Sequence, residues 1–276
     1  MGRTIACANQ KGGVGKTTTV VNLASYLALA GDRILIIDLD PQGNATSGLG
    51  IDRATLQSST YESMVDGVEL RSVILRDVAD GLDIAPATIA LAGADVELAG
   101  IAARERRLRR LVEPLVDQYD VVFVDCPPSL GLLTVNALTA ADAVLIPLQS
   151  EYYALEGLTQ LLATVDLVRD HLNPRLAIDG VVVTMADPRT NLSAQVEAEA
   201  RAHLGGSVYD TVIPRSVRLS EAPSHGKSIA AYAPESRGGI AYAALAQEFR
   251  RRSGRADPSD PVGIPIERVP DLVALS

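Results

Sequence analysis

Apolar residues fall along this chain in two rhythms. The first is a short, mostly apolar run, at 4–9, 33–38 (Arg-Ile-Leu-Ile-Ile-Asp), 120–125 (Asp-Val-Val-Phe-Val-Asp), 143–146 and 178–185, of which the first three close on Asn or Asp. Runs of that kind, without polar alternation, predict strands covered on both faces. The second rhythm is helical: in 16–30, Val20, Leu23, Ala24 and Leu27 share one face, and Gly31 supplies a C-cap. Further helices are read at 61–65, 104–117, 155–171, 194–203 and 239–252, with short strands at Leu82–Ala85 and 208–213. Strands alternating with helices of this length build βαβ units. The expected fold is therefore α/β, a mainly parallel twisted sheet flanked by helices on both faces. Beyond 252, Pro258, Pro261, Pro265 and Pro270 forbid a long helix. The chain is read as one domain over 1–252 and an irregular, Pro-rich tail over 253–276.

Composition narrows this picture. Trp is absent and there are only two Phe, so the core must be built from Val, Ile, Leu and Ala, the set that parallel strands bury. The two cysteines, Cys7 and Cys126, make neither a disulfide framework nor a four-thiolate metal site. No apolar run approaches the roughly 18 residues of a membrane-spanning helix. Met1-Gly2-Arg3-Thr4 runs straight into the first strand with no signal peptide ahead of it. A soluble protein of a reducing, cytoplasmic compartment is expected. The net charge of −9 argues against DNA binding by bulk charge, so a nucleic-acid role needs a local basic face.

Lysine is rare here: Lys11, Lys16 and Lys227 stand against 22 arginines, and two of the three lie in one Gly-rich stretch. That stretch, Lys11-Gly12-Gly13-Val14-Gly15-Lys16-Thr17-Thr18, follows the first predicted strand and opens the first predicted helix, the context of a P-loop. Gly12, Gly13 and Gly15 let backbone N–H groups turn inward on phosphate oxygens, and the helix start adds its positive dipole end. In that arrangement Lys16 meets the β- and γ-phosphates, the Thr17 hydroxyl ligates Mg²⁺ and Thr18 reaches the α-phosphate. The fold expectation becomes the P-loop nucleotide hydrolase type. Lys11 stands too far back to reach the same γ-phosphate and is placed to reach a nucleotide held by a facing subunit.

Metal-assisted phosphoryl transfer also needs carboxylates at the carboxyl ends of neighbouring strands. Asp125 ends one apolar run and fits a Walker B role toward Mg²⁺. Asp38 and Asp40 end another, with Asp40 the candidate for positioning the attacking water and Asp38 for supporting the metal. The guanine-reading pattern Asn-Lys-x-Asp is absent from the sequence, which favours ATP.

These segments resemble the ParA/Soj partitioning ATPases of the wider ParA/MinD group. The likeness rests on the Gly-rich loop, on Asp38-Leu39-Asp40-Pro41-Gln42-Gly43-Asn44, on Asp125-Cys126-Pro127-Pro128-Ser129, on Arg189-Thr190-Asn191-Leu192-Ser193, and on the run from Ile213 to Lys227. The resemblance spans about residues 3–250 and implies a nucleotide-sandwich homodimer in which Lys11 crosses to the partner's phosphates. It also implies binding to double-stranded DNA without sequence preference, with release when a ParB-type centromere-binding partner stimulates hydrolysis; such a protein works on the nucleoid. Pro214 and Ser216 match positions at the adenine, and Arg189 and Arg218 match DNA-contacting positions. Nine basic residues against four acidic ones over 201–255 agree with a local basic face. The charged cluster at 104–110 is read as a solvated helix face.

Three other functions on the same fold stay open. A MinD-like membrane-cycling ATPase needs a terminal amphipathic helix. An iron–sulfur electron-transfer ATPase needs two exposed cysteines per chain. A metabolic ATPase would make turnover depend on a small-molecule substrate.

Overall fold

The computed structural model describes residues 2–255 apart from Asp80, Tyr152, Tyr153 and Pro188. In chain order, β1 (Arg3–Cys7) leads into α1 (Lys16–Leu29), and β2 (Ile34–Asp38) into the short helix α2 (Asn44–Gly48). The small helices α3 (Thr60–Met64) and α4 (Leu70–Val73) precede β3 (Leu75–Ala79), β4 (Leu82–Ala85), α5 (Ala94–Glu97) and α6 (Arg107–Val112). Next come β5 (Val121–Asp125), α7 (Leu132–Ala140), β6 (Ala143–Gln149), α8 (Ala154–His171) and β7 (Ala177–Thr184). The described chain closes with α9 (Asn191–Leu204), α10 (Val217–Glu221), α11 (Ile229–Tyr232) and α12 (Arg237–Arg252). Beyond Arg255, the tail read at 253–276 lies outside the described residues.

The seven strands run in the order β3-β4-β2-β5-β1-β6-β7. Every neighbouring pair is parallel except β3 with β4. Alternating side chains feed two core layers. Val122 and Val124 of β5 join the layer under α6, α7 and α8, whereas Val121 and Phe123 join the layer under α1 and α12. In the second layer Phe123 meets Phe249 with ring centroids 5.8 Å apart, one of few aromatic contacts in a core otherwise made of aliphatic residues. After β5 the chain crosses over β1 to lay down β6, so strand order reverses at β1. The crevice outside the carboxyl ends of β1, β2 and β5 is where an open α/β sheet takes its ligand.

Two predicted elements do not form. No strand occupies 208–213, where the chain makes only isolated bridges, Val181 with Val208 and Ala186 with Pro214. Tyr209 and Ile213 donate to the Val181 and Val183 carbonyls of β7, both at 2.9 Å, but the ladder is interrupted between them, where the Asp210 and Thr211 N–H groups both donate to the Glu248 carboxylate at 2.8 Å. Nor is 104–117 one helix. Its regular part is α6 alone: a left-handed Ala103 and a 3-10 turn over Arg104–Arg106 come before it, and Pro114, which has no N–H to give, stands just after it. Arg107 in α6 is not solvated either, since its guanidinium donates to the Met64 and Val65 carbonyls at 2.9 and 3.0 Å and so caps α3. The helices α2 and α7 and the antiparallel edge strand β3 formed no part of the sequence-based expectation.

Glu248 also pairs with Arg252 at 2.8 Å, and Arg252 lies over the Tyr209 ring, 4.0 Å from its centroid. Glu248→Ala therefore strands two backbone donors and removes the acid paired with Arg252, which keeps its bonds to the Gly206 and Val208 carbonyls. It is expected to lower the stability measured by urea unfolding by about 3 kcal/mol, with nucleotide affinity unchanged.

Candidate active site

The Gly-rich loop follows β1 and is fastened by its neighbours. The Asn9 amide donates to the Pro147 carbonyl (2.8 Å) while its oxygen accepts from the Lys11 N–H (3.0 Å). Further along, the Val14 carbonyl accepts from the Thr184 hydroxyl (2.8 Å). Gly13 (φ +76) and Gly15 (φ +88) are left-handed, which keeps the loop narrow without strain. Gly15 is also the N-cap of α1 and offers no side chain, so the first N–H groups of the helix are left for a ligand.

A cavity of about 370 Å³ opens over this loop. Gly12, Gly13, Gly15, Lys16, Thr17, Thr18 and Asp40 line it, as the sequence led one to expect. Val14 is buried behind the loop. The Lys16 ammonium donates to the Lys11 carbonyl at 3.1 Å, and the Lys11 ammonium pairs with Glu151 at 2.5 Å. Pro214 and Ser216 are not on the cavity wall. Pro214 bridges to Ala186 and Ser216 stands at the N-cap position of α10; Met185, Ala222, Pro223 and Lys227 line the cavity. Gln42, Asn44, Ser47 and Gly48 complete the cavity. The segments 38–44 and 213–227 carried the signal for Gln42, Asn44, Ala222, Pro223 and Lys227 without resolving the position, whereas Ser47, Gly48 and Met185 lie outside both.

Register places Asp38 beside Asp125 at the ends of β2 and β5. Both are fully buried. Asp125 accepts from the Thr17 hydroxyl through Oδ2 at 2.7 Å, and its Oδ1 is buried with no hydrogen-bond partner. Burial, and then the neighbouring charge of Asp38, push the Asp125 carboxyl well above the usual range. Burial likewise pushes Asp38 up to about 6, against three bonds that favour its charged form. Its Oδ2 accepts from the Thr46 N–H (2.9 Å) and hydroxyl (2.7 Å), and its Oδ1 from the Asp40 N–H (3.2 Å). Asp40 in turn accepts from the Gln42 N–H at 2.9 Å, an Asx turn that holds its carboxylate at the cavity.

This donor set fits a hard divalent cation. An unpartnered carboxylate oxygen, a threonine hydroxyl and two carboxylates that repel one another are what Mg²⁺ would relieve. Among the described residues no three His, Cys, Asp or Glu side chains gather around a metal, so remaining ligands must come from phosphate and water. Cys7 and Cys126 are both buried, which removes the exposed pair that an iron–sulfur reading requires.

Arg189 and Arg218 lie away from the cavity on the surface. The Arg189 side chain is 85% exposed and pairs with Asp187 at 2.7 Å, and its hydrogen bonds hold the Asp187 carboxyl down at about 2. Arg218 pairs with Glu221 at 2.9 Å. The positive balance over 201–255 is not one face. Arg201 pairs with Glu197 at 2.9 Å, Arg250 with Asp32 at 3.5 Å and Arg252 with Glu248, all within the fold. Arg215, Arg218, Lys227, Arg237 and Arg251 remain exposed.

Comparison with known proteins agrees with this geometry. A family model described as an AAA domain matches residues 2–178. The Bacillus subtilis protein named sporulation initiation inhibitor protein Soj is 57% identical over 248 residues, 90% of this chain and 98% of that protein. This chain belongs to the ParA/Soj family of ATPases. The Thermus thermophilus chromosome-partitioning ATPase Soj is 55% identical over 91% of this chain and 96% of its own. Among solved structures, cobyrinic acid a,c-diamide synthase from Mycobacterium smegmatis with bound ADP and magnesium is 40% identical. It covers 94% of this chain and 98% of that one, with a TM-score of 0.80.

In this ParA/Soj chain the loop bearing Asp40 depends on Thr46, whose hydroxyl donates to Asp38 and accepts from the Ala87 N–H at 2.9 Å. Thr46→Val keeps the shape and removes both bonds. It is expected to lower stability by about 2 kcal/mol in urea unfolding and to slow ATP turnover in a phosphate-release assay, through the displaced Asp40.

Proposed function

We propose that this chain is a DNA-segregation ATPase of the chromosome- or plasmid-partitioning type, whose nucleotide state sets its affinity for DNA. The observation that carries the reading is the convergence of Lys16, the Thr17–Asp125 pair and Asp40 on one glycine-cradled cavity. ATP is the nucleotide, with its phosphates on the Gly12–Gly15 backbone and Thr18. Lys16 exchanges the Lys11 carbonyl for the β- and γ-phosphate oxygens and offsets the charge that grows on them. Thr17 and Asp125 hold Mg²⁺, which neutralises phosphate charge when bound. Asp38 holds the Asp40 loop and contributes to the metal side only through Asp125, beside which it stands. Asp40 orients the water that attacks the γ-phosphorus. The bond to the bridging oxygen breaks, and ADP and phosphate leave. The nucleobase falls against Met185, Ala222 and Pro223, an apolar wall suited to a purine, with Pro214 and Ser216 behind it.

Two such protomers face each other across their nucleotides, Lys11 leaving its surface pair with Glu151 to reach the partner's phosphates. An exposed pair of this kind contributes at most about 1 kcal/mol, less than a polyphosphate offers. The dimer joins two faces carrying Arg189 and Arg218, which doubles the phosphate contacts with duplex DNA. A ParB-type partner stimulates hydrolysis and releases the protein, which therefore cycles on the nucleoid.

Binding to unrelated duplex DNA across a salt series tests this. Tight, steeply salt-dependent binding with ATP and none with ADP is expected. ATP turnover that ignores DNA and depends on a small-molecule substrate would instead favour the metabolic reading, which the Mycobacterium smegmatis synthase makes concrete. Release of DNA only on binding to lipid vesicles would favour the membrane-cycling one.

Lys16→Ala should abolish ATP binding in a fluorescent-nucleotide titration. Asp40→Ala should form a persistent ATP-bound dimer that still binds DNA, as read by light scattering and DNA retention. An Asp40→Ala protein that stays monomeric in ATP would sink the role given to Asp40.

A further inference from the structure

The chain has three lysines, and the one outside the Gly-rich loop lines the same cavity. Its place there is set by the backbone. The Gly226 N–H donates to the Pro223 carbonyl (3.0 Å) and the Lys227 N–H to the Ala222 carbonyl (3.2 Å), with Gly226 left-handed at φ +61. This pair of bonds is the Schellman ending of a helical turn, and it puts Lys227 just past the end.

The turn is also clamped. A Cβ on Gly226 would lie 2.5 Å from the Gly50 Cα, and Gly50 is itself left-handed at φ +82. Two bare backbones therefore touch where no side chain fits. Gly50 follows α2, the helix that begins just after Asp40, so the Lys227 turn rests on the segment whose start is tied to Asp38. Earlier in its own segment lies Arg218, on α10. Lys227 is exposed, and its ammonium makes no hydrogen bond or ion pair among the described residues. A solvated cation in this chain is almost always arginine. A lysine held by so close a contact over a phosphate-binding loop answers to a need for a compact charge.

We propose that Lys227 is a third nucleotide-binding lysine. Its ammonium binds the polyphosphate from the turn at Gly226, and so ties occupancy of the cavity to the segment that carries Arg218. The inference rests on the reading of the cavity as an ATP site and of the Arg218 face as a DNA site. It makes Lys227 a residue that binds nucleotide and positions Arg218, and that does not itself touch DNA.

Titration of a fluorescent ATP analogue into the full-length protein, its Lys227→Met and Lys227→Arg variants and Lys16→Ala tests it. Lys227→Met is expected to bind the analogue about ten-fold more weakly, Lys227→Arg to recover part of the loss, and the urea unfolding midpoint to stay unchanged. With enough ATP to saturate Lys227→Met, its affinity for duplex DNA should remain several-fold below that of the unmodified protein. Unaltered nucleotide affinity in Lys227→Met would overturn the proposal, and full recovery of DNA binding at saturation would overturn the tie to Arg218. Failure of the unmodified protein to bind the analogue, or to bind DNA with ATP, would overturn the underlying reading as well. That failure shows in the unmodified protein before any variant is compared, so the two are distinguishable.

Discussion

Two carboxylates stand side by side at the ends of β2 and β5 in a place with no solvent, and the nucleotide site is organised around that conflict. Asp38 and Asp125 are register partners and fully buried, so each raises the cost of ionising the other. The fold resolves the two ends differently. Asp38 receives three hydrogen bonds from Thr46 and Asp40, and its charge is thereby used to shape the loop that presents Asp40. Asp125 receives one bond, from Thr17, and keeps an unpartnered oxygen. The first arrangement is complete within the protein. The second calls for a cation, and the nearest ammonium, that of Lys16, sits at the start of α1 where phosphate will compete for it.

How much of this could be read from sequence depended on how local the deciding interaction was. β2 and β5 were legible because an apolar run ending in Asp needs only its own composition to announce a buried strand with a carboxylate at its end. The Gly-rich loop was legible because its glycines and lysine act on their own backbone. The predicted strand at 208–213 failed for the opposite reason: two of its donors are claimed by Glu248, far along the chain. The predicted helix at 104–117 failed although Pro114 was visible, because the run of charges around it masked the break. The run 213–227 was legible as a segment but not residue by residue: Ala222, Pro223 and Lys227 line the cavity, while Pro214 and Ser216 do not. The turn at Gly226 and its contact with Gly50, which place Lys227, join stretches far apart in the chain. Charge counted along the sequence misled in the same way, since Arg201, Arg250 and Arg252 hold the fold together.

The arginine face and the nucleotide wall are made from the same two loops. Met185 lines the cavity in a left-handed conformation, φ +53, that costs a non-glycine residue energy, and the chain reaches Arg189 within the same loop. Ala186 accepts from the Arg215 N–H (3.0 Å) and donates to the Ile213 carbonyl (3.1 Å), so the loop of Arg189 is stitched to the segment of Arg218. Both arginines thus stand on backbone segments that are tied to each other and, through Met185, to the cavity. Each arginine is paired with a neighbouring acid on the surface, and such pairs contribute little. Either guanidinium can leave its acid at small cost, and more readily as salt rises.

The two lysines of the Gly-rich loop are joined through a single residue. The Lys16 ammonium donates to the carbonyl of Lys11, and the side chain of Lys11 is occupied at the surface by Glu151. Phosphate in the cavity competes with that carbonyl for the Lys16 ammonium, whereas the Lys11 ammonium is held outside by its acid. Drawing Lys16 onto a bound polyphosphate removes a hydrogen bond from the backbone of Lys11 and leaves the Asn9 carboxamide oxygen as the contact that orients it. Occupancy of the cavity by phosphate therefore acts first on the backbone of Lys11.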